Sequence, residues 1–204
     1  MLSPGTSVLK SWQGIAEIIL RVACTELGFI ILICAAVALS NIKDLDDAAD
    51  DVGLEYEDAG LYESGAGWLI FLAVMCMVIE PIIILTRFLN ISIVNENFLI
   101  FAIIDIVISG IFALSFFAGG VANAVYAGDN ADLYDDYERT CDQDNLPQEA
   151  EDACDNLRTV RNSEGAAAAF SFFAMVAFGA LGGIMVFTII FKRQGSPGGE
   201  KEGP

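Results

Sequence analysis

Four long apolar runs, separated by polar stretches, dominate the pattern of hydrophobic and polar positions along the chain. The runs cover about residues 17–40, 67–87, 98–127 and 166–191. Each run reaches the roughly 20 residues that an α-helix needs to cross ~30 Å of hydrocarbon at about 1.5 Å per residue. The pattern therefore predicts an all-α integral membrane protein in which four transmembrane helices form a bundle.

The polar remainder of the chain consists of two end segments and the loops between the runs. Residues 1–16 carry apolar side chains at helical spacing beside Lys10, which predicts a short interfacial helix, and a disordered lead-in fits the same residues. Residues 194–204 are rich in Gly, Pro and charge, which predicts a disordered tail. The four-span domain is accordingly assigned to residues 17–193.

Composition shows that the charge of this apolar chain is concentrated in two loops. Hydrophobic residues make up 55% of the chain, yet the formal net charge is −18 and no histidine is present. The loop at 41–66 has nine acidic residues and one lysine, and the loop at 128–165 has twelve acidic residues and three arginines. These loops predict a solvated, self-repelling surface, or alternatively one that attracts basic partners and binds cations weakly. We expect no nucleic-acid partner.

Two cysteines predict which side of the membrane the acidic loops face. Lysines and arginines flank the spans on both sides, so their distribution does not decide the orientation. Cys141 and Cys154 are the only cysteines outside the spans, and their spacing would close a short disulfide ring in an oxidising compartment. We therefore predict cytosolic termini and extracellular or luminal acidic loops, in the plasma membrane or in a secretory or vesicle membrane.

Three carboxyl side chains interrupt the apolar runs. Glu26, Glu80 and Asp105 belong to three different spans, and the helical rise places each of them roughly 10 to 14 Å inside the predicted cytosolic boundary. Because ionisable residues are rare in spans and normally face the bundle interior, we predict one polar layer whose acids are protonated or paired with Arg21. A binding site for a partner's intramembrane residue or a lipid headgroup, and a proton or cation pathway, are the alternatives.

The stretch VIEPIII, residues 78–84, adds a proline directly after one of these acids. A proline has no amide hydrogen, so Pro81 leaves the carbonyl of Met77 without its usual helical hydrogen bond. The stretch therefore predicts a kink in the second span and an additional hydrogen-bond acceptor near the polar layer.

Small residues in the third and fourth spans predict close packing between helices. Within residues 166–183 they recur at four-residue spacing and end in a G-x-x-x-G pattern, and the third span offers small residues to match. Small side chains let helix backbones approach closely in a membrane, where no hydrophobic effect drives association. We predict a packing seam inside the bundle, with a dimer face as the alternative, formed by Ser115, Gly119, Ala167, Ser171, Gly179 and Gly183.

Taken together, these features resemble the MARVEL domain over about residues 10–193. The resemblance is carried by an Arg and a Glu in LRVACTELGFIILI, by an early acid in FAIIDIVISGIFAL, by the cysteine pair of the second loop and by an Ala/Phe-rich fourth span. The family includes occludin and tricellulin, the MAL and plasmolipin proteins, and the synaptophysins and synaptogyrins. No subfamily is assigned, because the first loop lacks the cysteines of synaptophysin-like members and the acidic loops match no subfamily.

The resemblance implies a non-enzymatic role in organising membrane, in vesicle or junction assemblies, through lateral contact with lipids or with other copies. The residues themselves predict no catalytic, cofactor or metal site, because histidine is absent and Cys24, Cys34 and Cys76 lie within spans. The alternative function is an accessory subunit docked on a larger channel, pump or adhesion assembly. An ion or proton conduit is a distant third.

Overall fold

The computed structural model describes residues 12–51, 59–89, 98–141 and 148–194, and within them the chain forms helices and no strand. The helices are α1 (Trp12–Asp51), α2 (Ala59–Phe88), α3 (Phe98–Cys141) and α4 (Gln148–Gln194). Each helix contains a stretch that is long and apolar enough to cross a membrane, at 14–43, 65–87, 99–129 and 154–190. The prediction of an all-α, four-span membrane protein is confirmed.

Parts of the predicted end segments and loops lie outside the described residues. These parts are residues 1–11 of the interfacial segment, 195–204 of the tail, 52–58 of the first acidic loop and 142–147 of the second. The proline of the second span is described, and α2 continues through it, with the side chain of Pro81 exposed on the outer surface of the bundle.

The buried positions of all four helices repeat with alternating steps of three and four residues. This spacing keeps one face of each helix toward the bundle axis and is typical of left-handed, nearly parallel or antiparallel helix packing. The seam residues include Arg21, Cys24, Gly28, Ile31, Ala35, Ala38 and Ile42 of α1; Ala66, Leu69, Ala73, Cys76 and Glu80 of α2; Ala102, Asp105, Ser109, Phe112, Phe116, Gly119 and Asn123 of α3; and Leu157, Val160, Glu164, Ala167, Ser171, Ala174, Phe178, Leu181 and Met185 of α4.

The helices pack as a ring in the order α2, α1, α4, α3. The interface between α3 and α4 is the largest, α1 packs against both α4 and α2, and the interface between α2 and α3 is the smallest. Successive helices run antiparallel: Arg21 near the start of α1 meets Glu80 near the end of α2, and Arg87 at the end of α2 meets Asp105 near the start of α3. Early in α3, Ser109 lies beside Gly182, late in α4. Three aromatic rings fill the middle of the bundle, where Phe178 stacks on Phe112 and Phe116 at centroid distances of 5.0 and 5.9 Å.

The helices α3 and α4 extend well beyond the thickness of a membrane. They contain 44 and 47 residues, and at 1.5 Å per residue each is about 65 to 70 Å long, roughly twice the ~30 Å of hydrocarbon. The region predicted as a second acidic loop is therefore largely a helical hairpin. At this end of the bundle Ile42 and Val160 form a small buried cluster against Tyr126, which fastens the extension to α1.

Candidate functional site

A buried cluster of charged residues joins three of the four helices at one end of the bundle. Its centre is Arg21, which is 0% exposed and is the largest of the fully buried side chains among the described residues. Arg21 Nη1 donates to Glu80 Oε2 at 2.8 Å, and Nε donates to Glu17 Oε1 at 3.1 Å. Arg21 Nη2 donates to Asp105 Oδ2. One guanidinium of α1 thus holds a carboxylate from α2, another from α3 and a third from its own helix.

A second arginine closes the cluster toward the membrane surface. Arg87, in the last turn of α2, approaches Asp105 Oδ2 with Nη2 at 3.3 Å and Glu17 Oε1 with Nε at 3.5 Å. Its side chain is 15% exposed, so Arg87 lies at the rim whereas Arg21 lies inside. We call the five residues Glu17, Arg21, Glu80, Arg87 and Asp105 the arginine cluster.

The arginine cluster is a network of ion pairs between α1, α2 and α3. Each cation contacts at least two carboxylates, which compensates the cost of burying charge in a membrane interior. With all five groups ionised the cluster carries one excess negative charge, because it contains two guanidinium groups and three carboxylates. The ion pairs connect α1, α2 and α3 at one level of the bundle. From the described part of α4 no acidic or basic residue enters the cluster.

The structure brings together three of the four residues predicted for the polar layer. Arg21, Glu80 and Asp105 are in direct contact, whereas the prediction that Glu26 faces the bundle interior is wrong, since its side chain is exposed. The reason is rotation about the helix axis. Glu26 follows Arg21 by five residues, which at about 100° per residue turns it roughly 140° away from the seam.

Two members of the arginine cluster were not part of the predicted layer. Glu17 and Arg87 lie at the ends of apolar runs and therefore resemble ordinary interfacial charges in the sequence. Their spacing from Arg21 and Glu80 in the sequence nevertheless indicated that they belong to the same cluster. Glu17 precedes Arg21 by four residues and Arg87 follows Glu80 by seven, and both spacings place the two side chains on the same face of a helix.

The predicted small-residue seam divides into an internal part and an external part. Gly119, Ala167 and Ser171 are buried between helices, and a Cβ added at Gly119 would come within 2.5 Å of Leu69 Cδ2. For Gly179 and Gly183 the prediction of an internal seam is wrong, because both are exposed and an added Cβ would meet nothing within 4 Å. Ser115 is half-buried.

The cysteines Cys24, Cys34 and Cys76 are free thiols. Cys76 Sγ donates to the carbonyl oxygen of Cys24 at 3.3 Å, which links α2 to α1 one turn away from Arg21. The disulfide between Cys141 and Cys154 stays a prediction, because the side chain of Cys141 lies outside the described residues. The same holds for weak cation binding by the acidic loops, although in the described residues no three potential ligands form a metal site.

Comparison with known proteins identifies the arrangement of spans. A family model described as MARVEL, membrane-associating domain, matches residues 14–182. The matched region includes all four candidate spans, at least in part, and every residue of the arginine cluster. No curated protein and no solved structure matches the chain.

Proposed function

The chain belongs to the MARVEL family of membrane-associating domains, and on this basis we propose that it organises membrane through lateral contacts of its four spans and has no enzymatic activity. The supporting observation is the separation of polar and apolar residues in the spans. Arg21, Glu80 and Asp105 face inward, while the outer surface presents large apolar side chains such as Phe71, Leu114 and Phe173, which are 52, 72 and 61% exposed. This surface is suited to lipids and to neighbouring helices.

Part of that outer surface allows close approach of another helix. Gly179 and Gly183 lie one turn apart on α4, and no atom of the bundle lies within 4 Å of a Cβ built on either one. In a membrane such a pair permits backbone-to-backbone packing between helices. We therefore propose that copies of the chain associate through this face of α4, in a vesicle, junction or comparable assembly.

Leucine at both exposed glycines is expected to abolish this self-association without unfolding the bundle. The added side chains would separate two docked α4 helices, whereas inside one copy they meet open space. The measurement is extraction in a mild detergent followed by native mass determination of the wild type and of the Gly179→Leu/Gly183→Leu double variant. We expect oligomers for the wild type and monomers for the variant.

A matched control is available at Gly110 on α3, which is also exposed and open on the outside. Gly110→Leu adds the same bulk to the lipid-facing surface of a different helix, so it should leave an oligomer that forms through α4 intact. Oligomers that survive the double variant, or that disappear equally in Gly110→Leu, would contradict association through α4.

The second candidate function is that of an accessory subunit on a larger membrane complex. The acidic side chains of the helical hairpin favour this function, because a basic partner would bind to such a surface. Those that are described and exposed are Asp129, Glu151, Asp152 and Asp155. The same native mass measurement separates the two functions, because a stoichiometric foreign protein would support the accessory role. A conduit has the least support, since Phe112, Phe116 and Phe178 occupy the axis of the bundle.

Replacing either predicted disulfide cysteine should loosen the hairpin and leave the spans folded. A ring of this size stabilises by roughly 3 kcal/mol in the chain-entropy model, and the constraint would act on the end of α3 and the start of α4. Limited proteolysis of Cys154→Ser in vesicles checks this, with faster cleavage expected within residues 129–160 only. Free thiols at Cys141 and Cys154 in protein from its native membrane would refute both the disulfide and the predicted orientation.

A further inference from the structure

Among the described residues, Glu26 is the one acidic or basic residue whose side chain is exposed in the interior of the four apolar runs, 17–40, 67–87, 98–127 and 166–191. The other charged residues found there, Arg21, Glu80 and Asp105, are buried in the bundle. Glu26 lies within about 4 Å, along the helix axis, of the midpoint of the apolar stretch 14–43. Its carboxyl group therefore faces the hydrocarbon rather than the headgroups. An ionisable side chain in this position is costly for an isolated protein.

The side chain of Glu26 lines an open groove between α1 and α2. The other lining residues are Thr25, Phe29, Ile30 and Met77. Glu26 supplies a carboxylate, and Met77 precedes Pro81 by four residues, so its carbonyl receives no regular helical hydrogen bond. The groove thus combines apolar walls with the carboxyl group of Glu26, and no lysine or arginine is among its lining residues.

Among the described residues, no lysine or arginine pairs with this carboxyl group. Thr25 Oγ1 donates to the carbonyl oxygen of Arg21 in the same helix at 3.0 Å. Both Arg21 and Arg87 are engaged by the carboxylates of the arginine cluster on the inner side of the bundle. A second copy of the chain consequently offers no uncommitted arginine at this depth from its described spans. Lipid headgroups lie roughly 15 Å away along the membrane normal.

We propose that the face of α1 around Glu26 docks the transmembrane helix of another membrane protein, which carries a lysine or arginine near the centre of the bilayer. The cation binds the Glu26 carboxylate, and the apolar side chains beside it pack against Phe29 and Ile30. Charge complementarity selects this occupant, because burial against a cation removes the cost of exposing the carboxylate to hydrocarbon. The docking surface is separate from Gly179 and Gly183 and does not rest on self-association through α4.

The test uses full-length protein and designed peptides in phosphatidylcholine vesicles. One labelled peptide is a leucine-rich transmembrane helix with a single central lysine, and the matched peptide has leucine at that position. Energy transfer to the labelled protein measures binding. We expect the lysine peptide to bind the wild type about tenfold more tightly than the leucine peptide, as for one polar contact between helices. Glu26→Leu should abolish that preference.

A charge swap serves as the matched control for folding and position. Glu26→Lys should lose the preference for the lysine peptide and acquire one for a peptide with a central glutamate. Circular dichroism of both variants should match the wild type, since the side chain of Glu26 is exposed.

Three results would overturn the proposal. Equal binding of the lysine and leucine peptides to the wild type, or a preference that persists in Glu26→Leu, would show that the carboxylate recognises no cation. Self-association without peptide that disappears in Glu26→Leu would assign the groove to a second copy. Loss of the preference when phosphatidylethanolamine is added to the vesicles would assign it to a lipid amine.

Discussion

Arg21→Met is expected to destabilise the bundle by about 3 to 5 kcal/mol, the range for removing one partner of a buried ion pair. Methionine has a similar length and fills much of the same space, so the loss is electrostatic rather than a cavity. The substitution leaves Glu80 and Asp105, which are 0 and 4% exposed, without their shared guanidinium. Unfolding by a denaturing detergent in mixed micelles measures the change.

The destabilisation should be largely reversed when the carboxylates are neutralised as well. Arg21→Met/Glu80→Gln/Asp105→Asn removes both the cation and the two buried anions, and replacing a buried charge network by neutral groups is often nearly neutral. Arg158→Met is the control for loss of a positive charge, because Arg158 is exposed on α4 outside the cluster. We expect it to change stability by about 0.5 kcal/mol or less. A triple variant as unstable as Arg21→Met would contradict the electrostatic explanation.

Phe178→Ala is expected to destabilise the bundle by about 3 kcal/mol, the lower end of the range for truncating a buried phenylalanine. Phe178 is 0% exposed and stacks on Phe112 and Phe116, so the truncation leaves a cavity at the point where α3 and α4 pack together. The lower end applies because lipid is as apolar as the bundle interior. The lost free energy is therefore mainly that of packing contacts rather than of transfer from water.

A second phenylalanine on the same helix isolates this packing effect. Phe173 is 61% exposed and faces outward, so Phe173→Ala removes the same atoms from a lipid contact that is retained on unfolding. We expect a change of about 0.5 kcal/mol or less. The comparison is made in the detergent titration used for Arg21→Met. Similar losses for Phe173→Ala and Phe178→Ala would show that the three stacked rings do not stabilise the bundle.

The membrane-spanning architecture was accessible from the sequence because it depends on local properties. A run of about 20 apolar residues must form a helix in hydrocarbon, since no water is available to satisfy the backbone amides and carbonyls. The four apolar runs therefore predicted the four helices, and their end points differ from the candidate spans mainly at the start of the fourth, where α4 extends through the acidic region as a continuous helix.

Some residues of the candidate site could also be identified from the sequence. Charged residues inside apolar runs are rare enough to stand out, so Arg21, Glu26, Glu80 and Asp105 were identified as polar groups of the spans, and the helical rise predicted a common depth for the three acids. Depth along the membrane normal follows from residue number alone.

The tertiary structure determined the rotational orientation of each helix about its own axis, and therefore which face of the helix points into the bundle. Glu26 lies about 7.5 Å along the helix axis from Arg21 and roughly 140° from the seam, and Gly179 and Gly183 match the four-residue spacing of Ala167 and Ser171 while facing outward. A four-residue repeat drifts around a helix of 3.6 residues per turn by about 40° with each step, so a stripe that begins inside the bundle ends outside it. The sequence by itself determined which stretches of the chain are long and apolar enough to cross a membrane, because that depends on local composition. Packing among the four helices alone determined which of their residues face the interior and which face outward.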